Sequence, residues 1–184
     1  MRLFIAIALP EDLRARLAAL GNGLPGARWV SEKNLHLSLR FLGELDGGEA
    51  ADVDAALTGL RVPGFDLGLE GISHFGEGRN LRALWAGVRP SPALMRLQAK
   101  IEQAVIRAGQ PPEKRKFKPH VTLARFKSNP GSRLQTYLAE HALFRTEPFP
   151  VDGFTLYSSV LSASGAIYRP EAEYPLEPNE AGAR

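Results

Sequence analysis

Apolar residues run unbroken from Leu3 to Leu9 and stop at Pro10-Glu11-Asp12. A run this short, closed by proline, reads as a buried strand, and the proline and two carboxylates after it suit the first turn of a helix. Leu13, Leu17 and Leu20 share one face of that helix, which Gly21-Asn22-Gly23 ends. Trp29-Val30 predicts a short strand, residues 31–34 a turn, and His36 to Phe41 a second strand closed by Gly43. Val53, Leu57 and Leu60 form the buried stripe of a helix over 47–60.

In the middle of the chain, strands are predicted at 65–69, 72–75 and 81–88, with Gly76 to Asn80 as a hairpin loop. Leu94, Leu97, Ile101 and Val105 keep the three-and-four spacing of a packed helix from Pro92 to about Ala108. Beyond Gly109-Gln110-Pro111-Pro112 and a basic run, a strand is predicted over 120–126 and a helix over 133–141. Strands at 151–159 and 167–176 complete the pattern. The order strand, helix, strand, helix occurs roughly twice, which predicts an α+β fold with largely antiparallel sheets in two lobes. We expect one bilobal domain over 1–176 and a frayed tail over 177–184, where no periodic apolar positions remain.

Composition narrows this little. The 184 residues are 44% hydrophobic and 23% charged, as in a water-soluble globular chain. The N-terminal run places its Ala-x-Ala inside the apolar segment and so does not read as a secretory signal, and no stretch is long enough to span a bilayer. The absence of cysteine removes disulfides and thiolate metal sites and fits a cytoplasmic protein. A formal net charge of +3 lacks the dense basic surface of proteins that grip long duplexes, so a nucleic-acid substrate would be engaged near an end or at a single phosphate.

Against that background, one phrase occurs twice: His36-Leu37-Ser38-Leu39 and His120-Val121-Thr122-Leu123. Strand side chains alternate between faces, so in each copy the histidine and the hydroxyl share one face. A histidine is followed by this pattern by chance on the order of once in a hundred times. Two hits among four histidines therefore need a reason. One copy alone would read as an amphipathic strand with its histidine in water; the second reverses that reading. Two imidazoles facing one phosphorus can divide the roles of base and acid, and hydroxyls can bond the non-bridging oxygens. The motifs lie 84 residues apart, from 36 to 120, as a duplicated lobe would place them.

A cation would complete such a site, since the guanidinium fork matches phosphate oxygens. Arg40 shares the alternation phase of His36 and Ser38, whereas Arg125 is out of phase with His120 and Thr122 unless the strand bulges. Two histidines without a nearby carboxylate or thiolate make a poor zinc site, so no metal is expected. His74 reads as a turn or rim residue and His141 as a helix end. Lys114 to Lys118 reads as a solvated run, yet its place just before His120 also suits a rim for an RNA backbone; Trp29, Phe117 and Tyr157 could stack a base, although core packing is the better reading for each of the three aromatics.

At these motifs the chain resembles the two-histidine phosphoesterase superfamily, and more narrowly the RNA 2′,3′-cyclic phosphodiesterases, also called 2′-5′ RNA ligase-like proteins. RLFIAIALP, NLHLSLRFLGEL, LWAGV, FKPHVTLARF and FTLYSS carry the resemblance across nearly the whole chain. It implies a bilobal fold with the site in the cleft between lobes. It also implies hydrolysis of a terminal 2′,3′-cyclic phosphate on RNA to a 2′-phosphate, with no cofactor and no obligatory protein partner; a different branch of the superfamily, acting on small cyclic nucleotides, is a competing reading. His36 would then protonate the departing 3′ oxygen, His120 would activate water, Ser38 and Thr122 would bind phosphate, and Arg125 would assist. On this ground Arg125 is preferred over Arg40, and both are kept. Joining of RNA ends through a 2′-5′ linkage, with a ribose hydroxyl in place of water, and a non-catalytic RNA-end binding module are the alternatives.

Ser38 departs from the family pattern, which has threonine there. Serine keeps the hydroxyl but lacks the methyl group that restricts the rotamer. Ser38→Thr is expected to leave cyclic-phosphate hydrolysis intact or raise it; a large loss of turnover would show that the hydroxyl has another role.

Overall fold

The computed structural model describes residues 1–179. Its first strand, β1 (Arg2–Ala8), is continuously apolar because both of its faces are covered and it lies between two neighbours within its sheet. Leu3, Ile5 and Ile7 point to one side, Phe4 and Ala6 to the other, and all five are buried. The chain continues through α1 (Glu11–Ala18), β2 (Ala27–Trp29), β3 (His36–Glu44), α2 (Gly47–Thr58), β4 (Phe65–Leu67), β5 (Leu69–Phe75) and β6 (Ala83–Val88). It ends with α3 (Pro92–Arg107), β7 (His120–Phe126), α4 (Ser132–Glu140), β8 (Phe149–Val151), β9 (Gly153–Ser162) and β10 (Gly165–Pro175). Short 3₁₀ turns occupy Glu32–Asn34 and Gly78–Asn80.

Two four-stranded antiparallel sheets form, in the orders β10-β9-β1-β3 and β2-β7-β6-β5, with β4 and β8 as a separate ribbon. The α+β reading and the antiparallel pairing hold. The lobes, however, are not the two halves of the chain. β2 crosses to the sheet that contains β7, and the C-terminal β9 and β10 return to the sheet of β1 and β3. Pairing with β1 covers an apolar strand that would otherwise be an exposed edge, which the sequence spacing of the motifs could not express.

Helices α2 and α3 cover the first sheet. α2 opens with a reciprocal capping box between Asp46 and Glu49, and Asp54 on its outer turn accepts a 2.6 Å hydrogen bond from the Tyr174 hydroxyl of β10. α3 starts at Pro92 with Ser91 capping the Leu94 amide, and its Leu94, Leu97, Ile101 and Val105 are fully buried as the spacing predicts. α4 lies against the second sheet, where Tyr137 packs on Trp29 and donates to the Leu20 carbonyl after α1. Among the described residues no helix is long and apolar enough to cross a membrane.

The expected fraying from residue 177 does not begin there. Glu177 bridges Pro63, donating its amide to the Val62 carbonyl and accepting from the Gly64 amide at 2.7 Å. Backbone pairing holds this end where no apolar side chain announces it. Residues 180–184 of that predicted tail lie outside the described residues.

Candidate active site

Strands β3 and β7 approach within 8 Å, Cα to Cα, across the two sheets, and each carries one copy of the repeated phrase. Their local construction matches across the motif, although β3 has a second irregularity at Leu42. In β3 the partners of Ile5 and Ala6 are Arg40 and Ser38, so Leu39 is an extra residue that β1 does not match. In β7 the partners of Leu84 and Trp85 are Ala124 and Thr122, so Leu123 is extra in the same way. These are β-bulges, and each reverses the face to which later side chains point.

The bulges give the two arginines different surroundings. Up to the fourth motif position the faces alternate as expected, with His36 and Ser38, or His120 and Thr122, turned to the cleft and Leu37 or Val121 buried. Past the bulge Arg40 and Ala124 turn inward, and Phe41 and Arg125 turn to the cleft side. Arg40 is 7% exposed and borders the cleft cavity with its charge already engaged: its Nε pairs with the Glu102 carboxylate of α3, and its terminal nitrogens donate to the Phe41 and Pro111 carbonyls. Simple alternation, which favoured Arg40, assumes a flat ladder and does not describe the strand past the bulge.

Each histidine is held by the same device. His36 Nδ1 donates to the Asn34 carbonyl at 2.6 Å, and His120 Nδ1 donates to the Lys118 carbonyl at 2.6 Å, both two residues upstream. A donor at Nδ1 leaves Nε2 of the neutral ring as the acceptor. His36 Nε2 meets the Ser38 hydroxyl at 2.9 Å. Asn34 is itself braced, its side-chain amide donating to the Ala166 carbonyl in the β9–β10 hairpin at 2.8 Å. The rings are also packed: Phe4 and Tyr168 contact His36 with centroids 5.0 and 5.3 Å away, and Phe75 and Trp85 contact His120 at 4.9 and 6.0 Å.

Burial is the largest influence on the acidity of both rings. It pushes the His36 imidazole below its ordinary value of 6.5; the Asn34 carbonyl opposes this, and the positive charges of Arg125 and of His120 add to it. His120 is lowered in the same way by burial, with the Lys118 carbonyl opposing and Arg125 reinforcing. That Arg125 acts on both rings, and His120 on His36, is the electrostatic sign of convergence on one place. A bound anion there would raise both values again, by the same Coulombic reasoning.

A cavity of about 800 Å³ occupies the cleft, and Ser38, Phe41, Phe75, His120, Thr122 and Arg125 are in its wall. His36 lies just behind, reaching the wall through the Ser38 hydroxyl. The volume suits a nucleotide-sized ligand. Of the remaining candidates, Phe117 borders this cavity while packing on the core, Tyr157 stacks on Phe4, and Trp29 faces α4. His74 sits within β5 with Nδ1 donating to the Gly76 carbonyl, and His141 caps α4 with Nδ1 donating to the Tyr137 carbonyl. Phe41, on the cleft side at the position that corresponds to Arg125, was missed by sequence reasoning; the same bulge places both.

Similar proteins share both the sequence and this architecture. The sequence profile of the 2′-5′ RNA ligase superfamily matches residues 5–162. The RNA 2′,3′-cyclic phosphodiesterase of Thermotoga maritima is 34% identical over 176 residues, covering 92% of each chain. The protein of that name from Escherichia coli K12 is 30% identical over 185 residues, covering 95% of this chain and 96% of its own. The crystal structure of E. coli LigT complexed with 3′-AMP superposes with a TM-score of 0.80 at 28% identity, over 95% of this chain and 97% of that one. TT0787 of Thermus thermophilus does so with a TM-score of 0.80 at 29% identity, over 98% of this chain and 100% of that one.

The two arginines should separate in stability measurements. Arg40→Ala leaves Glu102 without its cationic partner and is expected to cost about 2–3 kcal/mol, less than a fully buried pair because Glu102 retains some contact with water. Arg125→Ala, at an exposed position, should change stability by no more than about 0.5 kcal/mol. Urea midpoints of the two variants test this, and equal destabilisation would contradict the assignment.

Proposed function

Because the chain belongs to the 2′-5′ RNA ligase superfamily, we propose that it hydrolyses the 2′,3′-cyclic phosphate at the end of an RNA to a 2′-phosphomonoester, with His36 and His120 as its proton-transfer pair. The observation that carries this reading is the matched pair of imidazoles, each anchored at Nδ1 to a carbonyl two residues upstream, on facing strands beside one nucleotide-sized cavity. The relatives named as RNA 2′,3′-cyclic phosphodiesterases, and the complex of LigT with 3′-AMP, support the choice of substrate.

In this mechanism Nε2 of neutral His120 takes a proton from water as the water oxygen attacks phosphorus. The P–O3′ bond breaks, and Nε2 of protonated His36 gives its proton to the departing O3′. The products are a 3′ hydroxyl and a 2′-phosphate, and the two rings regain their starting states by exchange with solvent. The anchored Nδ1 protons fix ring orientation throughout, which lowers the reorganisation needed at the reacting atoms. Ser38 and Thr122 donate hydrogen bonds to non-bridging oxygens, and Arg125 offsets the charge that builds on them as phosphorus becomes five-coordinate. With a ribose hydroxyl as the leaving or attacking group the same groups serve 2′-5′ joining, which the family's name reflects. The chemistry calls for no cofactor and no protein partner, and a chain without cysteine suits the cytoplasm.

His36→Ala and His120→Ala are each expected to reduce turnover at least about a thousandfold while the far-UV circular dichroism stays unchanged. Phosphorus NMR of the products from a cyclic-ended RNA, with chelator present, should show a 2′-monophosphate; a 3′-monophosphate would reverse which oxygen is protonated.

The pH dependence follows from the sign of the shifts. Catalysis needs one neutral and one protonated ring, and burial lowers both in the free protein, so the bell of kcat/KM should peak below pH 6.5. The substrate anion raises both values in the complex, so the kcat maximum should lie at higher pH than that of kcat/KM. A kcat/KM profile that climbs from about pH 6 to about pH 9 would contradict the paired roles.

A further inference from the structure

Segment 113–118, Glu-Lys-Arg-Lys-Phe-Lys, has no regular secondary structure, yet it is fastened along the mouth of the cleft. Glu102 of α3, held by Arg40, accepts the Glu113 amide at 2.7 Å, and Arg40 also donates to the Pro111 carbonyl. The Glu113 carboxylate accepts the Arg115 amide at 3.0 Å, Phe117 packs on the core, and the Lys118 carbonyl receives His120 Nδ1. Arg115, Lys116 and Lys118 stay exposed while bordering the same cavity as His120, Thr122 and Arg125.

The charge in this segment is out of proportion to the molecule. Four basic residues, Lys114, Arg115, Lys116 and Lys118, stand against Glu113, a surplus of three that equals the formal net charge of the whole chain, +3. One cyclic phosphodiester brings a single negative charge, and Arg125 with a protonated imidazole already answers it. The exposed cations of the segment are therefore surplus to the reacting phosphate, and their places along the rim suit phosphates further up a strand.

Resting on the phosphodiesterase reading above, we propose that residues 113–118 form a strand-guiding rim that binds the backbone 5′ to the cyclic end, so that the preferred substrate is an RNA chain rather than a cyclic mononucleotide. The Arg40–Glu102 pair is the clamp that presents this rim, which links the first motif strand to the approach of the second.

The test compares kcat/KM of the full chain for 2′,3′-cyclic AMP and for a cyclic-ended oligoadenylate of about six nucleotides, across a KCl series. The oligonucleotide should be preferred at least about tenfold at low salt, through KM, and the preference should shrink as salt rises. Arg115→Gln combined with Lys116→Gln should lower the preference about tenfold and flatten the log–log salt slope for the oligonucleotide by about 1.4, or about 0.7 for each single-strand phosphate left without its cation. Both positions are exposed, so folding is not at issue. Equal kcat/KM for the two substrates in the parent protein, or an unchanged preference and slope in the double variant, would overturn the rim while leaving the phosphodiesterase reading in place. Hydrolysis of neither substrate would remove that reading and the rim with it.

Discussion

Leu39 and Leu123 each add one residue to a strand without a counterpart in its neighbour, and the chemistry of the cleft depends on that mismatch. A regular ladder would carry the His-x-Ser and His-x-Thr alternation onward, putting Arg40 in the cleft and Arg125 in the core. The extra leucine reverses the order. It lets one face present a histidine, a hydroxyl and then a residue five positions after the histidine, Phe41 in one strand and Arg125 in the other. It also explains the two successive buried residues in each strand, 39–40 and 123–124, which no simple strand period produces.

Because the residue after the bulge points inward, β3 can bury an arginine where β7 buries Ala124. A buried guanidinium is tolerated only when its donors are satisfied, and Arg40 reaches Glu102 and two backbone carbonyls. The partners on the far side of this contact belong to α3 and to the segment that leads into β7. The two motif strands are thereby coupled through a polar contact as well as through the apolar core. The pseudo-symmetry of the site is thus local: the histidines, their carbonyl anchors and their aromatic neighbours correspond, while the residues beyond the bulge have diverged into different tasks.

Much of the fold was legible in the sequence because amphipathic spacing reports directly on burial. The stripe Leu94, Leu97, Ile101, Val105 and the run Leu3 to Leu9 are buried as read, apart from the strand-end Ala8. What could not be read is pairing between distant segments. Nothing in Trp29-Val30 announces that β2 joins the sheet of β7, and nothing in Glu177 announces a bridge to Pro63, since backbone hydrogen bonds carry no side-chain signature. The contact from the Asn34 side chain to the Ala166 carbonyl that braces the His36 anchor was equally invisible, because its acceptor is a backbone group 132 residues away.

The sequence alone determined the chemical inventory: two histidines and two hydroxyls in matched phrases on strands, in a chain without thiolates, with its surplus positive charge gathered just before His120. Those facts follow from residue identity and from the two-residue period of a strand. Only the tertiary structure brings the two motif strands within 8 Å of each other, lets burial and Arg125 lower both imidazoles below their ordinary value, and engages Arg40 with Glu102 while leaving Arg125 exposed at the cleft. Each of these depends on register and on desolvation, which are properties of neighbours brought together by folding rather than of any residue in its own segment.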